Sequence, residues 1–257
     1  MSRPVETTDS ASPFDWLRLL PGLAIVYVLF HWLAKALGSD RGQAGVVVGA
    51  VVVAATVFWE VLLFRKSLVA SVKSLGLTSP KSEGLVASAL LSVLILAAIP
   101  IYSIVTGISF ALLPGWYVLL PGLFAQAGIA EETLFRGYLF RHLRSGRSFW
   151  RAAWLSMVPF VCVHLILFLD MPIPIATAAV GLACIISFPF AYLFEQSGNT
   201  VWGPALLHFV VQGAVKLVVT QEQAGLTFPL VWMAASAVLP WLAFLAPRRQ
   251  REWFLNG

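Results

Sequence analysis

Charge is what this chain has least of. Only 11% of its 257 residues are Asp, Glu, Lys or Arg, against about 25% in a soluble domain. Hydrophobic residues make up 59%, with ten Trp and eighteen Phe. This balance excludes an ordinary soluble domain and points to a single polytopic membrane domain. Cysteine is scarce as well. Cys162 and Cys184 both fall inside apolar runs, which excludes a disulfide framework and a cysteine metal centre and leaves two small core residues. No internal repeat or long low-complexity tract divides the chain. No short apolar core with a small-residue cleavage site opens it, so no signal peptide is expected. The net charge of +5 would suit nucleic acid in a soluble protein. In a chain this apolar it is read instead as basic residues held on the cytoplasmic side of a membrane, and no nucleic-acid partner is expected.

What the chain has in quantity is long apolar runs. About eight stand out, at roughly 17–38, 43–64, 84–108, 116–140, 152–169, 174–195, 200–219 and 227–246. Each is close to the ~20 residues that cross a bilayer core as a helix. Pro121-Gly122 predicts a kink in the fourth run. Residues 65–83 alternate Arg65, Lys66, Lys73 and Lys81 with Leu68, Val69, Val72 and Leu75, the pattern of an amphipathic segment lying at the interface. The organisation expected is a disordered polar leader over 1–15, one transmembrane domain over 16–247, and a basic tail over 248–257. With eight spans, one side collects Arg3, Arg18, Arg65, Lys66, Lys73, Lys81, Arg141, Arg144, Arg147, Arg151, Arg248, Arg249 and Arg251. The other has Arg41, with Lys35 and Lys216 near it. The positive side is cytoplasmic, so both termini are expected there.

A few ionisable groups interrupt the hydrocarbon. Ala130-Glu131-Glu132-Thr133-Leu134-Phe135-Arg136-Gly137 sets two carboxylates and an arginine between apolar flanks. A charge near the bilayer centre costs about 2.5–3.5 kcal/mol on insertion scales, so such residues are paired, face cavities and carry function. At ~1.5 Å per residue, Glu131 lies about 15 Å in from Arg141, and His164 about 20 Å in from Arg151. By the same measure His208 and Gln212 lie about 12 and 18 Å beyond Thr200. Three helices thus bring carboxylate, imidazole, and imidazole with amide to a similar depth from one side. Glu132 and Arg136 are four apart and share a helix face, as do Phe160 and His164, and His208 and Gln212. Glu131 is turned about 100° from Glu132, toward a cavity. The Glu132–Arg136 pair also reads as plain helix-bundle glue. His31 reads as a packing residue and His142 as a solvated loop residue, while Lys216 either snorkels outward or lines the cavity.

These residues carry a resemblance. Glu131-Glu132-x-x-Phe135-Arg136-Gly137 resembles the EExxFRG motif of the CPBP intramembrane proteases. That family includes the type II CAAX prenyl proteases and the bacteriocin-processing and immunity (Abi-like) proteins. Phe160-Val161-Cys162-Val163-His164 matches the family's FxxxH motif, and His208-Phe209-Val210-Val211-Gln212 matches its HxxxN motif with Gln in place of Asn. Gln keeps the amide donor and acceptor on an arm one methylene longer. The resemblance covers roughly 115–218, with the motifs in the family's order and spacing.

The resemblance implies an all-α polytopic membrane protein of about eight transmembrane helices, with a conical cavity open to the cytoplasm, in a bacterial inner membrane. It implies an endopeptidase acting on a membrane-associated, prenylated or leader peptide, with the lipid bilayer as its surroundings. Glu131, assisted by His164, is expected to activate a water, and His208 with Gln212 to stabilise the oxyanion. Glu132, Arg136 and Phe160 are supporting. The family has been described both as glutamic proteases and as metalloendopeptidase-like. The expectation is therefore no cofactor, with zinc held by Glu131, His164 and His208 as the alternative. A reading of another class also stands: a non-catalytic immunity, scaffold or transport protein using the same polar cavity.

Overall fold

A computed structural model describes residues 15–37, 42–220 and 225–245. The expected polar leader up to residue 14, Arg41, and the basic tail lie outside the described residues. Where the chain is mostly hydrocarbon, backbone N–H and C=O groups find no water and bond within helices, and the described residues are accordingly almost all helical. The elements in order are α1 (Asp15–Ala36), α2 (Gln43–Phe64), α3 (Leu68–Ser74), α4 (Ser82–Leu96), α5 (Ala98–Thr106), α6 (Trp116–Leu123), α7 (Arg141–Arg144), α8 (Phe149–His164), α9 (Leu167–Asp170), α10 (Ile173–Gln196), α11 (Trp202–His208) and α12 (Thr227–Val238). Several merge. The chain is helical without interruption over 116–144 and over 202–217.

Among the described residues, six helices are long and apolar enough to cross a membrane: Leu17–Ala36, Gln43–Phe64, Ser82–Thr106, Phe149–Asp170, Ile173–Gln196 and Thr227–Leu245. They fall within about three residues of six of the expected runs. The two remaining runs, helical over 116–144 and 202–217, carry two of the three motifs, and they pack among the six. The protein is thus an all-α polytopic membrane protein. Two features depart from the sequence reading. Phe110–Leu112 (β1) pairs antiparallel with Val218–Thr220 (β2) in a two-stranded ribbon that no residue pattern announced. The expected amphipathic segment over 65–83 also shortens to the seven residues of α3, capped by Ser67, whose hydroxyl accepts from Ala70 N at 3.2 Å. Leu68 and Val69 are exposed while Ser71 and Leu75 are buried. After Ser74 the chain turns inward at Gly76 (φ +73°) and is laced to the α10–α11 connection by Val201 N donating to Gly76 O at 3.0 Å and Lys81 N to Ser197 O at 2.9 Å.

Small residues let the helices approach closely, which matters where lipid supplies no hydrophobic drive between helices. Gly45 and Gly49 are four apart on α2. A Cβ at Gly45 would lie 2.7 Å from the backbone of Gly122, and one at Gly49 would lie 2.7 Å from Ala125 O. Gly128 meets Ala205 O in the same way at 2.8 Å, so the 202–217 helix sits directly against the 116–144 helix one turn before its two carboxylates. The motif glycine, Gly137, abuts the carbonyl oxygen of Leu75. The expected break at Pro121-Gly122 is met by a passage from α to π-helical turns at Phe124.

Gly137→Ala is expected to lower stability by about 1–3 kcal/mol, the usual scale for overpacking, and to lower the thermal unfolding midpoint in detergent. Gly181→Ala, with open space around its site, should leave that midpoint unchanged.

Candidate active site

Glu131 and Glu132 occupy two residues between π-helical stretches at Phe124–Ala130 and Thr133–Phe140. A third π-helical stretch, Phe209–Gly213, begins immediately after His208. Such widened turns are rare and collect at functional sites. Here they flank Glu131, Glu132 and His208.

The centre of the site is the Glu132 carboxylate, wholly buried. Its Oε1 accepts from Arg136 Nη1 at 3.1 Å and from His208 Nδ1 at 2.6 Å. Arg136 is buried too, with its guanidinium 4.4 Å from the ring centroid of Phe160 and 5.3 Å from that of Phe190. A cation held over an aromatic ring is worth up to about 2 kcal/mol once desolvated. Glu132 Oε2 and the Thr133 hydroxyl are buried with no hydrogen-bond partner among the described residues. The other nitrogen of His208, Nε2, lies 3.5 Å from Glu131 Oε2, and Phe190 packs against the imidazole at 5.2 Å. His208 therefore bridges the two carboxylates.

Hydrogen-bond chemistry assigns the protons. Glu132 Oε1 takes a bond from a guanidinium and so is an acceptor, which puts a proton on His208 Nδ1. His208 Nε2 then faces Glu131 Oε2, and the two atoms attract only with a proton held between them. His164 Nδ1 donates to Phe160 O at 2.7 Å, since a carbonyl only accepts. Its Nε2 is left as a lone pair when the ring is neutral. Glu131 and His208 both act electrostatically on His164. Phe135 and Phe160 pack edge to face at 4.7 Å, and Phe160 and His164 at 4.7 Å. The motif phenylalanines thus form the wall behind His164.

Glu131, Glu132, Arg136, Phe160, His164 and His208 are brought together. Gln212 lies in the π-helical turn after His208, half-buried and without a side-chain hydrogen bond among the described residues. Lys216 is exposed. The alternative zinc set is Glu131, His164 and His208, but no group of three His, Cys, Asp or Glu among the described residues is arranged to hold a metal ion. The ring nitrogens His164 Nδ1 and His208 Nδ1 are engaged by Phe160 O and Glu132, which leaves Nε2 of each ring.

A second buried carboxylate escaped the sequence reading. Glu60, in the middle of an apolar run, is wholly buried; its Oε1 accepts from Lys66 Nζ at 2.5 Å and from the Ser74 hydroxyl at 2.6 Å, with His142 Nε2 at 3.5 Å. His142 is accordingly not a solvated loop residue. It sits on α7, Nδ1 donates to Tyr138 O at 2.8 Å, and Phe64 packs on its ring at 4.1 Å. A lone acid among valines and leucines was the available signal. Phe190 gave none, being one Phe among eighteen.

Arg136→Leu strands the Glu132 charge and is expected to cost about 3–5 kcal/mol, read as loss of the thermal unfolding transition or of folded yield. Arg136→Lys keeps the charge but not the planar fork and stacking, so its midpoint should fall between the two.

No curated protein matches the chain. Residues 113–214, the segment holding all three motifs, match the family described as type II CAAX prenyl endopeptidase Rce1-like, in agreement with the CPBP intramembrane-protease family that the motifs resemble and, at the level of that family, with a membrane-embedded endopeptidase.

Proposed function

We propose that the protein hydrolyses a peptide bond of a membrane-associated substrate by a Glu131-activated water, without a metal. The observation that carries this reading is the approach of His208 Nε2 to Glu131 Oε2 at 3.5 Å, with Nδ1 anchored on Glu132. With the shared proton on Nε2, Glu131 is a carboxylate base and His208 a donor. Glu131, within electrostatic reach of His164, takes a proton from water as the water oxygen bonds to the carbonyl carbon. His208 Nε2–H and the Gln212 amide donate to the oxyanion. On collapse the C–N bond breaks, and the proton on Glu131 passes to the departing amine. Glu132 and Arg136 pass no proton in this scheme; Glu132 keeps the proton on His208 Nδ1 and fixes how the ring is turned, the office that a carboxylate serves behind a catalytic histidine.

The substrate class proposed is a prenylated C-terminal or leader peptide presented from the cytosol or inner leaflet. It would enter a conical cavity open to the cytoplasm in a bacterial inner membrane. The family of the matched segment and the clustering of basic residues around 65–81 and 141–151 support that orientation, with both termini cytoplasmic.

Terminal-peptide proteomics on native-host membranes tests the reading, comparing wild type with Glu131→Ala at matched expression. New termini present in wild type and lost in the variant are expected. Identical termini, with an effect from deleting the whole protein, would sink the catalytic reading in favour of a scaffold or transport role. For a substrate so identified, Gln212→Ala should lower kcat by about 10²–10³, the scale of an oxyanion donor, while Gln212→Asn should retain cleavage. Chelation should leave the rate unchanged. Loss on chelation with recovery on adding zinc would favour Glu131, His164 and His208 as ligands.

A further inference from the structure

His164 sits at the very end of α8, where its position is least secured by the helix itself. The last four carbonyls of an α-helix have no partner within the helix, and in a membrane no solvent replaces one. Val163, the residue before His164, belongs to that last turn. Its carbonyl accepts from the Tyr27 hydroxyl at 2.9 Å. Tyr27 comes from α1, 136 residues away in sequence, and lies outside both the three motifs and the matched segment 113–214.

Three further observations tie Tyr27 to the site. Its ring packs edge to face on Phe135 at 6.5 Å and on Phe30 at 6.4 Å. Phe135 in turn packs on Phe160, and Phe160 on His164, so the phenol belongs to the row of rings behind the imidazole. Glu131 also acts electrostatically on the Tyr27 hydroxyl, so the two groups lie within electrostatic reach of each other. One side chain therefore touches the backbone that presents His164, supports the wall behind it, and stands near the carboxylate.

We propose that Tyr27 is a positioning residue of the hydrolytic site, its hydroxyl fixing the end of α8 and with it the place of His164 relative to Glu131. The proposal rests on the reading of Glu131 and His164 as the water-activating pair. Tyr27 spends its one proton on Val163 O and is not a proton donor to substrate. Its contribution is geometric, and displacement of a catalytic group by about 1 Å costs on the order of 10²-fold.

The test uses the full chain in proteoliposomes and compares wild type with Tyr27→Phe, which keeps the ring and removes only the hydroxyl. Phe30→Leu controls for loosened packing of α1. Two readouts are taken: amide hydrogen exchange along 163–168, and kcat and KM on a peptide spanning a cleavage position defined by the Glu131-dependent termini. Tyr27→Phe should exchange faster along 163–168 and lose about 10- to 100-fold in kcat with KM unchanged, while Phe30→Leu keeps both at wild-type values. Unchanged exchange in Tyr27→Phe would overturn the pinning of α8. Faster exchange with unchanged kcat would overturn the positioning role, as would an equal loss in Phe30→Leu. Should no termini depend on Glu131, the protease reading fails by itself and the exchange measurement still decides whether Tyr27 holds α8.

Discussion

The candidate site depends on one carboxylate that has nowhere else to go. Glu132 is buried completely, and removing a carboxylate from water costs several kcal/mol even after the protein relaxes. The cost is met by Arg136 from its own helix and His208 from another, both on the same oxygen. The interaction is structural in its energetics and directional in its effect. A carboxylate on Nδ1 fixes which way the imidazole turns and which nitrogen is left for Glu131. The bland reading of Glu132–Arg136 as bundle glue is thus incomplete, since the pair also sets the orientation of His208.

That geometry rests on backbone contact rather than on side-chain bulk. Gly128 lets Ala205 approach one turn before the carboxylates, Gly45 and Gly49 seat α2 on the same helix, and Gly137 accepts the Leu75 carbonyl. A methyl group at any of these positions would push a helix outward by a few tenths of an ångström or more. The 2.6 Å hydrogen bond between His208 and Glu132 leaves no slack for that. Packing at the glycines and chemistry at the acids are therefore one constraint seen at two places.

Much of this was legible in the sequence, for physical reasons. Apolar runs near ~20 residues have a single solution in a bilayer, so six of the eight expected spans match helices to within a few residues. The depth argument set Glu131, His164 and His208 at a similar level on the ordinary helical rise, and His208 Nε2 does lie 3.5 Å from Glu131 Oε2. What stayed hidden depends on contacts between distant segments. Neither the hydrogen bond from Tyr27 to Val163 nor the stacking of Phe190 on Arg136 has a local signature. The two-stranded ribbon joins residues more than a hundred positions apart, and its three-residue strands are too short to show alternation. His142 was misjudged because a basic loop was taken as solvated; the helix instead continues through Arg144, and Glu60 lies buried against it. The π-helical turns around the site are likewise invisible to a pattern that assumes a period of 3.6.

The central claim is that Glu132 holds His208 by Nδ1 and so leaves Nε2 to Glu131. Histidine-selective ¹⁵N NMR of the full chain in detergent measures it most directly, with His208→Gln assigning the resonance. The account predicts a protonated, hydrogen-bonded Nδ1 whose proton exchanges slowly with water. A His208 tautomer bare at Nδ1 and protonated only at Nε2 would contradict it, because Glu132 would then be no partner of the ring.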